Sequence, residues 1–254
     1  MNRRPPSTEP SHWFHRLTLG GGSRTIVVIP PAGGGAAAFR PWASLVDSAT
    51  DVQVVVAPGR DHRIGEEPFH HVGPVADTIA SGLEGLPHPW VLFGHSAGAL
   101  VAREVATRVP ERHLVHVVVA GAAAPDCGGP NLALASDEEL IDALRAWGGT
   151  PEAVLADASM TELFLPCLRA DLAVAQSCRV PQADDLVVDV PITAVVGSED
   201  RFVCREQADG WQRWTTSSFD LRTVAGGHFF PMTHASEVVP IVTACFAGPG
   251  DGHG

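Results

Sequence analysis

The chain lacks several features, and each lack narrows what it can be. No apolar run approaches the ~18 residues that a membrane span needs, and the stretch Met1–Pro10 carries two arginines with no apolar segment of signal-peptide length behind them. A cytoplasmic protein, neither membrane-bound nor exported, is expected. The five cysteines, Cys127, Cys167, Cys178, Cys204 and Cys245, are odd in number and include no C-x-x-C pair. Neither a disulfide framework nor a zinc knuckle is indicated, and reduced thiols are expected. Positive charge is scarce, with 17 Lys+Arg against 29 Asp+Glu and a formal net charge of -12. Such a chain repels phosphates, and no basic cluster offsets this locally, which argues against a nucleic acid partner. A histidine- and carboxylate-bearing loop, Asp61-His62 with Glu66, Glu67, His70 and His71, has no H-E-x-x-H or other helix-spaced ligand pair. It is read as a solvated polar loop and no metal is expected. Tyrosine is missing altogether, an absence for which there is no functional account.

What is present suits one large apolar core: 254 residues, 45% hydrophobic and 18% charged. Val- and Ile-rich runs bounded by Gly or Pro fall at Thr25–Ile29, Val52–Ala57, Trp90–Phe93, Val115–Ala120, Ile192–Val196 and Phe219–Val224. Several are apolar throughout instead of alternating, which marks strands buried on both faces of a parallel sheet. Helical patterns lie between them at Val75–Leu83, Ala99–Val109 and Gln207–Trp214. The order reads as a doubly wound α/β fold. Trp13–Leu19 is a candidate edge strand. From about Leu132 to Asp184 the strands stop and helical segments take over, at Asp137–Ala146, Pro151–Leu155 and Met160–Ala175. The expected layout is therefore a core of residues 1–131 and 185–247, a helical lid inserted at 132–184, and a disordered Gly-rich tail at 248–254.

Gly94-His95-Ser96-Ala97-Gly98 fits G-x-S-x-G, a turn that holds a serine on strained backbone between a strand and a helix. The flanks agree with it, Trp90–Phe93 before and Ala99–Ala106 after, and the expectation sharpens to the α/β-hydrolase fold with Ser96 as nucleophile. A serine needs a histidine to take its proton and an acid to orient that histidine, in the chain order Ser, acid, His. His228 follows the last expected strand in Ala225-Gly226-Gly227-His228 and is the expected base, ahead of His234 and of His95, which adjoins the serine and is expected to pack or cap. Asp200 closes Ile192–Asp200, a strand, glycine and carboxylate in series, and is the expected acid, with Glu199 its rival. The oxyanion needs two backbone N–H donors. Ala97 is the first, and Ala32, in the Gly-rich loop after Thr25–Ile29, the second. That loop lacks the Lys-Ser/Thr ending of a nucleotide-binding loop.

With these residues in place, the chain resembles the type II thioesterases, the separate editing enzymes of polyketide synthases and nonribosomal peptide synthetases. The likeness runs from about Val27 to Phe246. It is carried by Pro31-Ala32-Gly33-Gly34, Phe39-Arg40-Pro41-Trp42, Pro58-Gly59-Arg60 with Arg63 and Glu67-Pro68, and Gly94 to Ala99. Further on lie Gly148-Gly149-Thr150-Pro151, Leu168-Arg169-Ala170-Asp171, Gly197 with Asp200, and Gly226 to Phe230. The resemblance implies hydrolysis of acyl thioesters on the phosphopantetheine arm of an acyl or peptidyl carrier protein. It implies no cofactor beyond the arm that the substrate carries and a mobile lid over the acyl chamber; for oligomeric state, which the sequence leaves open, a monomer is the default expectation. Leu163, Phe164 and Leu165 are available to line that chamber or to pack against the core. Arg60 and Arg63 are available to contact the phosphate or to anchor their own loop. Two positions depart from the family pattern: Pro31 stands where His is frequent, and Ala97 where Met or Leu is frequent. The smaller Ala97 would leave room for bulkier acyl groups. A general carboxylesterase or lipase, an acyltransferase that passes the acyl-serine to another acceptor, and a silent binding protein are the alternatives.

Overall fold

The computed structural model describes residues 3–128, 131–179 and 186–247. The expected tail at 248–254 and the end of the expected lid at 180–184 lie outside the described residues. Seven strands form one sheet: β1 (Phe14–Arg16), β2 (Arg24–Ile29), β3 (Thr50–Val55), β4 (Trp90–His95), β5 (Leu114–Ala120), β6 (Ile192–Gly197) and β7 (Phe219–Val224). Their order is β1-β3-β2-β4-β5-β6-β7. All pairs are parallel except β1 with β3, where Phe14 faces Val55 across an antiparallel edge.

The apolar runs follow from this topology. Strands β3, β4 and β6 are buried at every residue, and alternate side chains enter two separate cores. Val27, Leu92 and Ala194 meet α1 (Val72–Leu83) and α2 (Ala97–Ala106) on one face. Val28, Phe93 and Val195 meet α7 (Phe230–Thr233), α8 (Ala235–Ala244) and the 3-10 turns Ala36–Ser44 on the other. Neither α8 nor Ala36–Ser44 was marked by periodicity, because each carries an internal proline, Pro240 and Pro41. The expected helix Gln207–Trp214 is split into α6 (Arg205–Asp209) and a 3-10 turn, Gly210–Trp214.

Chain order reverses direction across the sheet between β2 and β4, where ligands of such sheets bind at the carboxyl ends of the strands. Between β5 and β6 the chain leaves the sheet for α3 (Asp137–Trp147), α4 (Glu152–Leu155) and α5 (Ala158–Ser177). Ser136 and Glu139 close a capping box on α3. These helices carry their own apolar nucleus of Leu140, Leu144, Leu155, Leu165 and Leu168. Leu165 is thus packed inside the insertion and Phe164 lies against it, so packing, and not the chamber wall, claims these two. No helix among the described residues is long and apolar enough to cross a membrane. The five cysteines are all free.

The loop after β3 is anchored by a buried ion pair. Arg63 Nε and Nη2 donate to Glu66 Oε2 at 3.1 and 2.7 Å, both side chains are 1% exposed, and the guanidinium lies 4.5 Å from the Trp13 ring centroid. Arg63 Nη1 and Nη2 also donate to the Val56 and Ser7 carbonyls. This fully internal arginine is not a phosphate contact. The other polar groups of the loop, Asp61, His62, Glu67, His70 and His71, are exposed as expected, and Asp61 accepts from the Ala36 N–H while His71 caps α1 by accepting from the Gly73 N–H. Burial opposes ionisation of Glu66, but the bonds from Arg63, Ser7 and Arg4 outweigh it and lower its pKa from 4.5 to about 2. A depressed carboxyl pKa stabilises the fold above 4.5, and that contribution fades as the pH falls toward about 2. Glu66→Gln, which leaves Arg63 buried without a counter-charge, is expected to cost about 3 kcal/mol near neutral pH. Thermal unfolding followed from pH 7 downward should show the gap between variant and wild type narrowing in that acid range.

Candidate active site

Ser96 stands between β4 and α2 at φ 54 and ψ -118, in a region that L-residues occupy only under constraint. The constraint is close approach. A Cβ at Gly98 would lie 2.2 Å from the Ile29 carbonyl oxygen, and one at Gly94 would lie 2.3 Å from that of Gly98. Only glycine at both positions lets α2 start directly against the ends of β2 and β4. The Ser96 side chain is therefore presented at the N-terminus of α2, where unpaired amides and the helix dipole favour negative charge.

Three of the expected residues come together here. His228 Nε2 is 3.2 Å from Ser96 Oγ, and His228 Nδ1 is 2.9 Å from Asp200 Oδ2. Asp200 follows β6 and His228 follows β7, so neighbouring strands deliver the pair. The Phe202 and Val203 amides donate to Asp200 Oδ1 at 2.8 and 3.2 Å. Burial opposes ionisation of Asp200, but the bond and charge of His228, with the two amides, hold its pKa below the usual carboxylate value. An ionised Asp200 fixes His228 with its Nδ1 proton toward the carboxylate and Nε2 free to accept from Ser96. Glu199 is exposed, and His234 instead bonds Thr233 Oγ1 at 2.9 Å.

Ala32 and Ala97 line the same cavity as Ser96 and His228, about 290 Å³ in volume. The sheet side contributes Gly121 and Ala122, and the helical insertion contributes Trp147, Leu172 and Ala175. Pro31, Ala32 and Ala97 also line a smaller apolar recess of about 50 Å³ behind the loop.

Two roles escaped the sequence. His95 is fully buried, and its Nε2 lies 2.8 Å from the His228 carbonyl oxygen. Burial and the neighbouring His228 lower its pKa to about 3, so it is neutral near pH 7 and its Nε2–H props the backbone of the His228 loop. Arg60 anchors its loop to the insertion: its Nη2 donates to Asp171 Oδ1 at 2.6 Å, and its Nη1 to the Gly34 carbonyl at 2.9 Å. Arg60 and Asp171 lay in two separate matched motifs, and nothing in the spacing paired them across 111 positions.

Fold and site together define a serine hydrolase of the α/β-hydrolase fold. Comparison with known proteins narrows the class. The model of the thioesterase domain matches residues 24–246, and the chain belongs to the thioesterase family as a thioester hydrolase. It is 33% identical over 208 residues, 80% of each chain, to the gramicidin S biosynthesis protein GrsT of Aneurinibacillus migulanus. It is 30% identical over 210 residues, 78% of each, to the medium-chain S-acyl fatty acid synthase thioesterase of Rattus norvegicus. The solved structure of the type II thioesterase BorB from the borrelidin biosynthetic cluster superposes with a TM-score of 0.80 at 31% identity, covering 92% of this chain and 97% of that one.

Replacing Asp200 by Asn keeps an acceptor for the two amides but removes the charge that orients His228. The expected result is a fall in kcat on the order of 10³–10⁴-fold with KM changed little, measured by steady-state thioester hydrolysis. A variant within tenfold of wild type would remove Asp200 from the site.

Proposed function

We propose that this thioesterase edits a polyketide or nonribosomal peptide assembly line, releasing acyl groups from the phosphopantetheine arm of acyl or peptidyl carrier proteins. The observation that carries this reading is the hydrogen-bonded series Ser96, His228, Asp200 opening into a cavity closed on one side by the helical insertion. The reading takes residues 132–184 as a lid on a core of 1–131 and 185–247, and the enzyme as a cytoplasmic monomer. The biosynthetic context of GrsT and BorB supports the choice of partner.

The chemistry follows from the distances. His228 Nε2 accepts the Ser96 proton as Oγ attacks the thioester carbonyl, and the Nδ1–H bond to Asp200 stabilises the imidazolium that results. The Ala32 and Ala97 N–H groups take the oxyanion, aided by the α2 N-terminus. Collapse breaks the C–S bond, and His228 passes its proton to the departing thiolate. Water, deprotonated by the same imidazole, then attacks the acyl-serine and frees the acid. The arm arrives on the carrier as part of the substrate, and the enzyme needs no cofactor or metal of its own for these steps. Acyl transfer and general esterase activity, the sequence-level alternatives, have less support because the chain matches the thioesterase family and resembles the rat fatty acid synthase thioesterase and the type II thioesterase BorB.

Intact-protein mass spectrometry of an acyl-loaded carrier incubated with wild type and with Ser96→Ala tests the reading. Loss of the acyl mass with wild type alone, with free acid as product, is expected; no loss with either would sink it. Ala97 bears on substrate range, since its methyl borders both the chamber and the recess. Ala97→Met should lower turnover of branched acyl thioesters about tenfold relative to acetyl, as overfilling a packed wall costs about 1–3 kcal/mol. Parallel rates on the two substrates check this, and an unchanged preference would dismiss Ala97 as a determinant.

A further inference from the structure

The loop after β2 is held from behind by the helical insertion. The Gly33 N–H donates to Asp171 Oδ2 at 2.7 Å, and Asp171 Oδ1 accepts from Arg60, which in turn donates to the Gly34 carbonyl. The ring Gly33, Asp171, Arg60, Gly34 is thus closed by three bonds, with the arginine and aspartate side chains 12% and 17% exposed. Asp171 belongs to α5, and Arg60 to the segment after β3.

This ring decides which amides remain for an oxyanion. The Gly33 N–H is taken by Asp171, that of Gly34 by the Pro31 carbonyl at 2.8 Å, and that of Ala36 by Asp61 at 3.3 Å. Ala32 and Gly35 keep N–H groups with no protein acceptor among the described residues, and of the two only Ala32 lines the cavity of Ser96. Its direction is set on both sides. The Pro31 carbonyl and the Ala32 N–H share one planar trans peptide and point opposite ways, so the bond from Gly34 aims the Ala32 N–H away from the loop's own turn. The bond from Gly33 to Asp171 fixes the next peptide. The apolar recess of about 50 Å³ behind the loop gives it room to relax if that hold is lost.

We propose that Asp171, braced by Arg60, is a positioning residue that sets the Ala32 half of the oxyanion hole and completes it only while α5 is seated on the core. The inference rests on the thioester-hydrolase reading of Ser96. It makes the insertion a part of the catalytic machinery as well as a wall of the acyl chamber.

The test compares Asp171→Ala, Asp171→Asn and, as a control on the same helix, Arg169→Gln, which loses an ion pair with Asp137 but touches no residue of the loop. Three readouts are taken: kcat and KM on an acyl N-acetylcysteamine thioester, unfolding temperature, and affinity for an alkyl trifluoromethyl ketone. That ketone adds to Ser96 Oγ and presents a tetrahedral oxyanion. Asp171→Ala is expected to lower kcat about 100-fold, the scale of one lost oxyanion donor, with KM within about threefold and ketone affinity falling in parallel with kcat. Asp171→Asn, which retains an acceptor for Gly33, should lose about tenfold or less on the same scale. Arg169→Gln should lower the unfolding temperature while keeping both kcat and ketone affinity. Unchanged kcat in Asp171→Ala, a fall in kcat without weaker ketone binding, or an equal loss in Arg169→Gln would each overturn the proposal. If the wild type itself fails to cleave the thioester, the functional reading falls, and the ratio of ketone affinities still decides the role of Asp171.

Discussion

The backbone of Ser96 is held where an L-residue costs on the order of 1–3 kcal/mol, and much of the molecule can be read as what keeps it there. Parallel β2 and β4 lie side by side in register, with Ile29 opposite Gly94. The first turn of α2 presses on the carbonyls that end β2, a contact closed to any side chain at Gly98. Apolar burial on both faces of the sheet supplies the force: Ala99, Leu100 and Val105 on one side of the elbow and Phe93 on the other are at most 3% exposed. The strain is therefore maintained by packing spread over two cores. It holds the hydroxyl in one place before any substrate arrives.

Around that fixed point the other groups differ in how firmly they are tied. Asp200 and His228 come from loops after adjacent strands β6 and β7, and each loop has an internal brace: the Phe202 and Val203 amides for the acid, neutral His95 for the base. The loop bearing Ala32 has no such brace from the sheet. Its contacts run to Asp61, to Arg60 and to Asp171, all outside the strands. Ser96, His228 and Asp200 are thus set by the core, while Ala32, the proposed second oxyanion donor, takes its position from the periphery.

Much of this could be read from the residues, for a physical reason. Central strands of a parallel sheet must be apolar on both faces, and so the runs at Trp90–Phe93 and Ile192–Val196 announced themselves nearly to their ends, while the edge strand Phe219–Val224 was marked by its alternation. A serine between two glycines, a carboxylate after a strand and glycine, and a histidine after two glycines are local patterns tied to local geometry. What stayed hidden is non-local or masked by a proline. Helix α8 holds Pro240 in a run, Val238–Val242, that looks like neither an amphipathic helix nor a strand. Arg60 and Arg63 sit in a polar-looking loop, yet each is held internally: Arg60 by Asp171 from α5, and Arg63 by Glu66 three positions on together with the distant Ser7 carbonyl. His95 read as a bystander of the elbow because the carbonyl it supports lies 133 positions away.

The insertion's own nucleus bears on how its two duties fit together. Leu140, Leu144, Leu155, Leu165 and Leu168 form a cluster distinct from the two cores that sandwich the sheet, while Val174, Ala175 and Cys178, at the far end of α5, belong to the core shared with α1 and α2. At that end the Val72 N–H donates to Ser177 Oγ and Arg103 Nη2 to the Cys178 carbonyl, so α5 runs from the insertion's nucleus into the core. The insertion's residues Trp147, from α3, and Leu172, from α5, line the cavity of Ser96, and Asp171 meets the loop of Ala32. Leu172 and Asp171 are consecutive residues of one helix. On the proposed reading, an acyl group that presses on Leu172 acts on the loop of Ala32 through the same stretch of α5, which links the fit of a substrate to the rate of its release.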